Sequence, residues 1–196
     1  MATIHPGATL TPHFRDFLPG WVQGQPWYAN RGAPSLRTIG YYRLEDADGR
    51  IGIETHLISD GDAVYQVPLT YRDAPLAAGE LIATAEHSVL GTRWIYDGCT
   101  DPVWLREMLH LVSTEGVSGP SSRRGVGPAD ARGRRCLGWE RAASRTIELN
   151  RLLTARPAED DPDVIGVVLG RWHPQGADLP GVEGCLAVVR SARSNP

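Results

Sequence analysis

VYQVPLTYR, residues Val64 to Arg72, decides the fold. Tyr65, Val67, Leu69 and Tyr71 fall on one face and Gln66, Pro68, Thr70 and Arg72 on the other, the two-residue period of a half-buried strand. The first face is expected to make core. Proline donates no ladder bond, so Pro68 predicts an edge strand or a bulge. About two dozen residues on, RWIYDGCTDPVW (Arg93 to Trp104) reads as a strand that ends in a turn and opens a helix. Asp101 can cap the first N–H groups there, and Pro102 suits the first helical position.

Before this core lie two strand-like runs, Ser35 to Glu45 and Arg50 to Ile58, joined by Asp46-Ala47-Asp48-Gly49, whose Asp-Gly suits a hairpin. In the second run Ile51, Ile53, Thr55 and Leu57 face one way and Gly52, Glu54, His56 and Ile58 the other, which places Glu54 and His56 on the wetter face. Further strands are expected over Glu80 to Leu90 and Thr92 to Asp97, split by Gly91, about five antiparallel strands in all. At the N-terminus Thr11-Pro12 reads as a helix start, followed by the apolar stripe Phe14, Phe17, Leu18 and Trp21. Pro19-Gly20 predicts two short pieces or a break at Leu18, and then a loop containing Asn30-Arg31-Gly32.

The helix predicted from Asp101 to Ser113 sets Trp104, Leu105, Met108, Leu109, Leu111 and Val112 toward a sheet and Arg106, Glu107, His110 and Ser113 away from it. Three parts follow: residues 1–114 as one domain, 115–136 as a Gly/Ser/Arg-rich linker or long loop, and 137–196 as a β-rich extension packed on the first part. The linker's Arg123, Arg124, Arg132, Arg134 and Arg135 lack interleaved aromatics and read as a solvated loop. Trp139 to Leu153 fits helix or strand. Val164 to Trp172 and Gly184 to Arg190 read as strands. The fold class is α+β: a curved antiparallel sheet with packed helices and a small β-containing extension.

Composition excludes several functions. A net charge of -3 gives no electrostatic case for nucleic acid or anionic membrane. Cys99, Cys136 and Cys185, odd in number and widely spaced, suggest neither a disulfide framework nor a zinc site, and a cytoplasmic location is expected. No apolar run is long enough to span a membrane. All 20 basic residues are arginine, so the lysine that P-loop and protein-kinase enzymes set on nucleotide phosphates has no counterpart. No G-x-G-x-x-G, G-x-S-x-G or paired-histidine motif occurs. The acidic run Glu159-Asp160-Asp161 with Asp163 lacks calcium-loop spacing. Asp97 and Asp101 flank a turn as a conceivable carboxylate pair, but Asp101 is the expected helix cap. No catalytic residue, metal site or cofactor is expected, and no enzyme activity.

Three ordered blocks resemble the N-terminal cap domain of actinobacterial maltokinases. They are Trp21-Val22-Gln23-Gly24-Gln25-Pro26-Trp27-Tyr28, Tyr65 to Arg72, and Ile95 to Gly98 with Asp101-Pro102. Family-motif positions are therefore Trp21, Gln25, Trp27, Tyr65, Gln66, Pro68, Tyr96, Asp97, Asp101 and Pro102. Pro26 stands where the family usually has arginine. The resemblance implies a cystatin-like cap, and the kinase lobes that would follow it have no recognisable counterpart. It also implies a non-catalytic protein of maltose, trehalose or glucan metabolism that binds a partner, such as a sugar kinase or glucan enzyme. Two alternatives are a sugar- or metabolite-binding module and a degenerate sugar kinase. For a ligand site on the sheet, Glu54, His56, Gln66 and Arg72 are the candidate polar groups.

Overall fold

The computed structural model describes residues 5, 7–30, 32–119, 126–154, 161–176 and 178–191. Two antiparallel sheets and two helices build it, which makes the α+β class plain. In spatial order the first sheet holds β1 (Leu10–Thr11), β5 (Leu81–His87), β6 (Gly91–Asp97), β4 (Ala63–Arg72), β3 (Gly52–Asp60) and β2 (Arg37–Glu45). β9 (Leu152–Leu153) joins it beside β4, giving seven strands rather than about five. Two-residue strands such as β1 and β9 carry no readable period. The second sheet runs β7 (Asp130–Arg135), β10 (Val164–Trp172), β11 (Val182–Ser191) and β8 (Arg145–Leu149).

The β4 stretch is a central strand, not an edge. Pro68 pairs with Thr55 of β3, while on the other side β4 pairs with β9 at Val64 and Tyr65 and with β6 from Leu69 to Arg72. The proline falls in the interval where β4 changes neighbours, so no strand there asks for the N–H it lacks. Both faces of β4 are covered. Tyr65, Val67, Leu69 and Tyr71 lie in one core with Phe14, Leu18 and Val22, whereas Gln66 and Thr70 on the other face are 0% exposed.

Helix α1 (Phe14–Gln23) closes the first face and is continuous through Pro19, against the expected break. Proline in a helix interior costs about 3 kcal/mol. Leu18 and Val22, on either side of it, are 2% and 0% exposed, and burying two such side chains contributes about as much or more. The cap is His13, not Thr11: its Nδ1 accepts from the Arg15 N–H, and Asp16 accepts from the His13 N–H at 2.9 Å.

Helix α2 (Pro102–Ser113) starts where the sequence placed it, capped by Asp101. Trp104, Met108, Leu111 and Val112 pack into a core that includes Tyr42, Ile53 and Leu57 of the first sheet and Ile165, Val168, Leu186 and Val189 of the second. A Cβ at Gly133 would stand 2.1 Å from the Leu111 carbonyl oxygen, so β7 lies flush on the end of α2. The expected linker therefore ends early: Asp130–Arg135 is a strand, paired with β10. Arg132 pairs with Asp130, and Arg135 with Glu115 and Glu140. Arg31, Arg123, Arg124, Glu159 and Asp160 lie outside the described residues. The ambiguous Trp139 to Leu153 resolves into a short turn of helix at Trp139–Arg141, then β8 and β9. No helix among the described residues is long and apolar enough to cross a membrane.

Candidate functional site

Register decides which of the four candidate polar residues can meet. His56 stands opposite Val67 and Glu54 opposite Leu69, so both share the α1 face of the sheet, while Gln66 and Arg72 share the α2 face. A single site containing all four is thereby excluded. The wetter face expected for Glu54 and His56 is corrected for His56, which is 3% exposed with the Phe14 ring 4.9 Å away, whereas the Glu54 side chain stays 20% exposed.

Glu54 forms an ion pair with Arg43 across the β2–β3 ladder, and its Oε2 lies 3.3 Å from His56 Nε2. The Tyr71 hydroxyl stands 3.5 Å from the same carboxylate oxygen and 3.4 Å from the same imidazole nitrogen. Burial alone would raise the Glu54 pKa, but the His56 hydrogen bond and charge and the Arg43 guanidinium outweigh it and hold it at about 2. A carboxyl depressed in the folded state contributes stability that is present above its unfolded value and lost as pH falls through the folded one. Acid titration of the melting temperature should therefore decline between about pH 4.5 and 2, and Glu54→Gln should flatten that part of the curve. An unchanged curve in the variant would remove Glu54 as the cause.

On the other face Arg72 grips Asp101 with two bonds of 2.7 Å, from Nε to Oδ2 and from Nη2 to Oδ1. Asp101 is 0% exposed and also accepts from the Thr70 hydroxyl at 2.6 Å and the Val103 N–H at 2.9 Å. Burial raises its pKa, and the Arg72 and Thr70 hydrogen bonds bring it below the usual carboxylate range. Gln66 serves neither group. Its Nε2 donates to the Asn150 and Leu186 carbonyls at 2.7 and 2.5 Å, and its Oε1 accepts from the Tyr42 hydroxyl at 3.3 Å. It ties the first sheet to the second.

Four of the family-motif positions, Trp21, Gln25, Trp27 and Asp97, meet two residues that no motif singled out, Glu80 and Arg151. Trp21 Nε1 and Gln25 Nε2 both donate to Glu80 Oε1, at 2.7 and 3.0 Å. Arg151 pairs with Asp97 and lies over the Trp27 ring, 5.1 Å from its centroid, and Trp27 in turn packs against Trp21 and Tyr65. Asp97 caps the short turn Gly98–Thr100 through the Cys99 N–H, and burial pushes its pKa up despite Arg151. Asp97 and Asp101 thus answer to different arginines and form no catalytic pair. The Tyr96 hydroxyl accepts from the Leu76 N–H at 2.7 Å. Burial pushes the Cys99 thiol up to about 12, which removes it as a thiolate nucleophile.

A groove of about 360 Å³ lies beside α2, lined among others by Arg43, Asp46, Glu107, His110 and Ser118. Its charges are largely spent within the fold. Asp46 is 2% exposed and accepts from three backbone N–H groups and from Arg106 Nη2 at 2.8 Å. Glu107, expected on the open side of α2, is buried instead and pairs with Arg106 Nε at 2.8 Å. Among the described residues no group of three or more His, Cys, Asp or Glu side chains is placed to hold a metal ion.

No curated protein and no solved structure matches the chain. A family model does, over residues 21–101, a span that begins at Trp21 and ends at Asp101. That model is the maltokinase N-terminal cap domain, the family that the three sequence blocks resemble.

Proposed function

We propose that this protein is a non-catalytic, cap-like binding module in maltose, trehalose or glucan metabolism, located in the cytoplasm, which acts by docking a partner protein such as a sugar kinase or a glucan enzyme. The family match over residues 21–101 supports the setting. One observation carries the mode of action: the polar groups that would hold a ligand on the sheet are bonded to one another. Glu54 is taken by Arg43 and His56, Arg72 by Asp101, and Gln66 by two backbone carbonyls. A ligand pocket wants a few convergent polar groups left open to the ligand. Here the sheet serves as scaffold, in the cystatin-like manner that the resemblance implies, and binding falls to its edges and loops. The groove beside α2, large enough for a sugar, favours small-molecule binding as a second reading.

Thermal unfolding with maltose, trehalose, glucosamine and Mg-ATP, each at millimolar concentration, separates the two. The expected result is no shift with any of them. A ligand at 100 times its dissociation constant adds about 2.7 kcal/mol to native stability. A shifted midpoint with a sugar would favour the second reading, and one with Mg-ATP would reopen sugar-kinase chemistry.

A further inference from the structure

We propose that the outer edge of β5, Leu81 to Ala85, is the docking strand, and that it takes an extended, uncharged segment of a partner protein flanked at both ends by basic residues. The inference rests on the partner-docking reading above.

The other edges are bridged or charged along their length, whereas β5 keeps five uncharged residues, Leu81 to Ala85, with one register shift against β6 between Leu81 and Ala83. The β2 edge is bridged by Gly119, which exchanges backbone hydrogen bonds with Arg43 at 2.9 and 3.2 Å, and Val117 bridges to Arg132 of β7. β8 is an open edge that carries Arg145 and Glu148 within its five residues. Charges on an edge strand are a standard defence against pairing. β5 has β6 on one side and β1 on the other, but β1 reaches only Glu86 and His87. The next residue in the chain is Pro12, which has no N–H to continue the ladder, and α1 begins two residues later. Leu81 to Ala85 therefore has no strand partner on its outer side among the described residues. The segment reads LIATA, without charge or proline, and Leu81 is 48% exposed.

Charge at the two ends selects the occupant. Glu80 and Glu86 bracket the segment, and the donors they hold are neutral: Trp21 and Gln25 on Glu80, the Thr92 hydroxyl on Glu86. Neither forms an ion pair among the described residues, so both present net negative charge beside the open ladder. A second copy of this chain, paired antiparallel over the full segment and centred on Ala83, would set Glu80 against Glu86 twice. Like charges directly opposite are destabilising. A strand with arginine or lysine at each end meets the same edge with two attractive pairs and five backbone positions for the ladder.

The test uses two synthetic peptides, Arg-Val-Thr-Val-Thr-Val-Arg and its counterpart with glutamate at both ends, titrated into the isotope-labelled full chain. The basic-ended peptide should shift the amide resonances of Leu81 to Ala85 and bind about tenfold more tightly than the acidic-ended one. Glu86→Lys, at an exposed position, should narrow or reverse that preference while leaving the melting temperature unchanged. Equal binding of the two peptides, shifts confined to other residues, no binding of either peptide, or a dimer of the wild-type chain in sedimentation would each overturn the proposal. If a kinase or glucan enzyme copurifies equally with wild type and Glu86→Lys, the edge assignment falls and the partner-docking reading stands; if neither variant recovers such an enzyme, that reading falls.

Discussion

Asp101→Ala should lower the stability of the protein by about 4 kcal/mol, the largest loss expected from a single polar substitution in the described fold. Two costs combine. Removing a helix N-cap costs about 1 kcal/mol, and Asp101 caps α2 through the Val103 N–H. Removing one partner of a buried, bidentate ion pair costs about 3–5 kcal/mol, because the other charge stays behind unpaired. Arg72, with its side chain 18% exposed, can recover part of its hydration, which places the sum near the lower part of that range. For a chain of 196 residues this is a fall in melting temperature of roughly 8–16 °C. Asp101→Asn keeps an acceptor for Val103 and Thr70 but not the charge, and should lose less than half as much. Equal losses in the two variants would show that the pairing with Arg72 contributes little.

Gln66→Leu is the second large effect, expected at about 3 kcal/mol, although the side chain becomes more apolar and keeps nearly the same volume. Leucine leaves the Asn150 carbonyl and the Tyr42 hydroxyl without the partners that Gln66 supplies. The Leu186 carbonyl is spared, because it also accepts from the Asn150 N–H at 2.9 Å. Each orphaned buried group costs about 1–3 kcal/mol. The damage should be local before it is global. Hydrogen exchange should accelerate first around Leu152 and Leu153, where β9 leans on β4, and only later in β3. A variant as stable as the parent would mean that the amide network contributes nothing beyond apolar packing.

These effects show what the sequence could and could not disclose. Period-2 alternation placed Tyr65, Val67, Leu69 and Tyr71 on one core face because burial there depends only on which side a residue points. The same alternation set His56 on the wetter face, although it is 3% exposed, and did not disclose that Gln66 and Thr70, on the other face of β4, are buried too. Polar residues buried in pairs look like exposed ones until their partners are known, and those partners are remote: Gln66 meets Asn150 and Leu186, 84 and 120 positions away. Asp101 was legible as a cap because capping is local, but its arginine, 29 residues back, was not. Arg151 sat in a stretch that fitted helix or strand equally well, and nothing in it announced a contact with Asp97 or Trp27. The Gly- and Arg-rich composition of residues 115–136 concealed β7, whose Gly133 is small because the Leu111 carbonyl lies against it. Pro68 signalled a missing ladder partner correctly but not that the gap lies inside a central strand.

The most direct test of a partner-docking cap is affinity purification of the tagged full chain from its source cells, with the captured proteins identified by mass spectrometry. The expected result is a sugar kinase or a glucan enzyme, recovered in near-stoichiometric amount and lost at high salt. Recovery of the chain with no such enzyme, at a salt concentration where electrostatic contacts survive, would contradict the account.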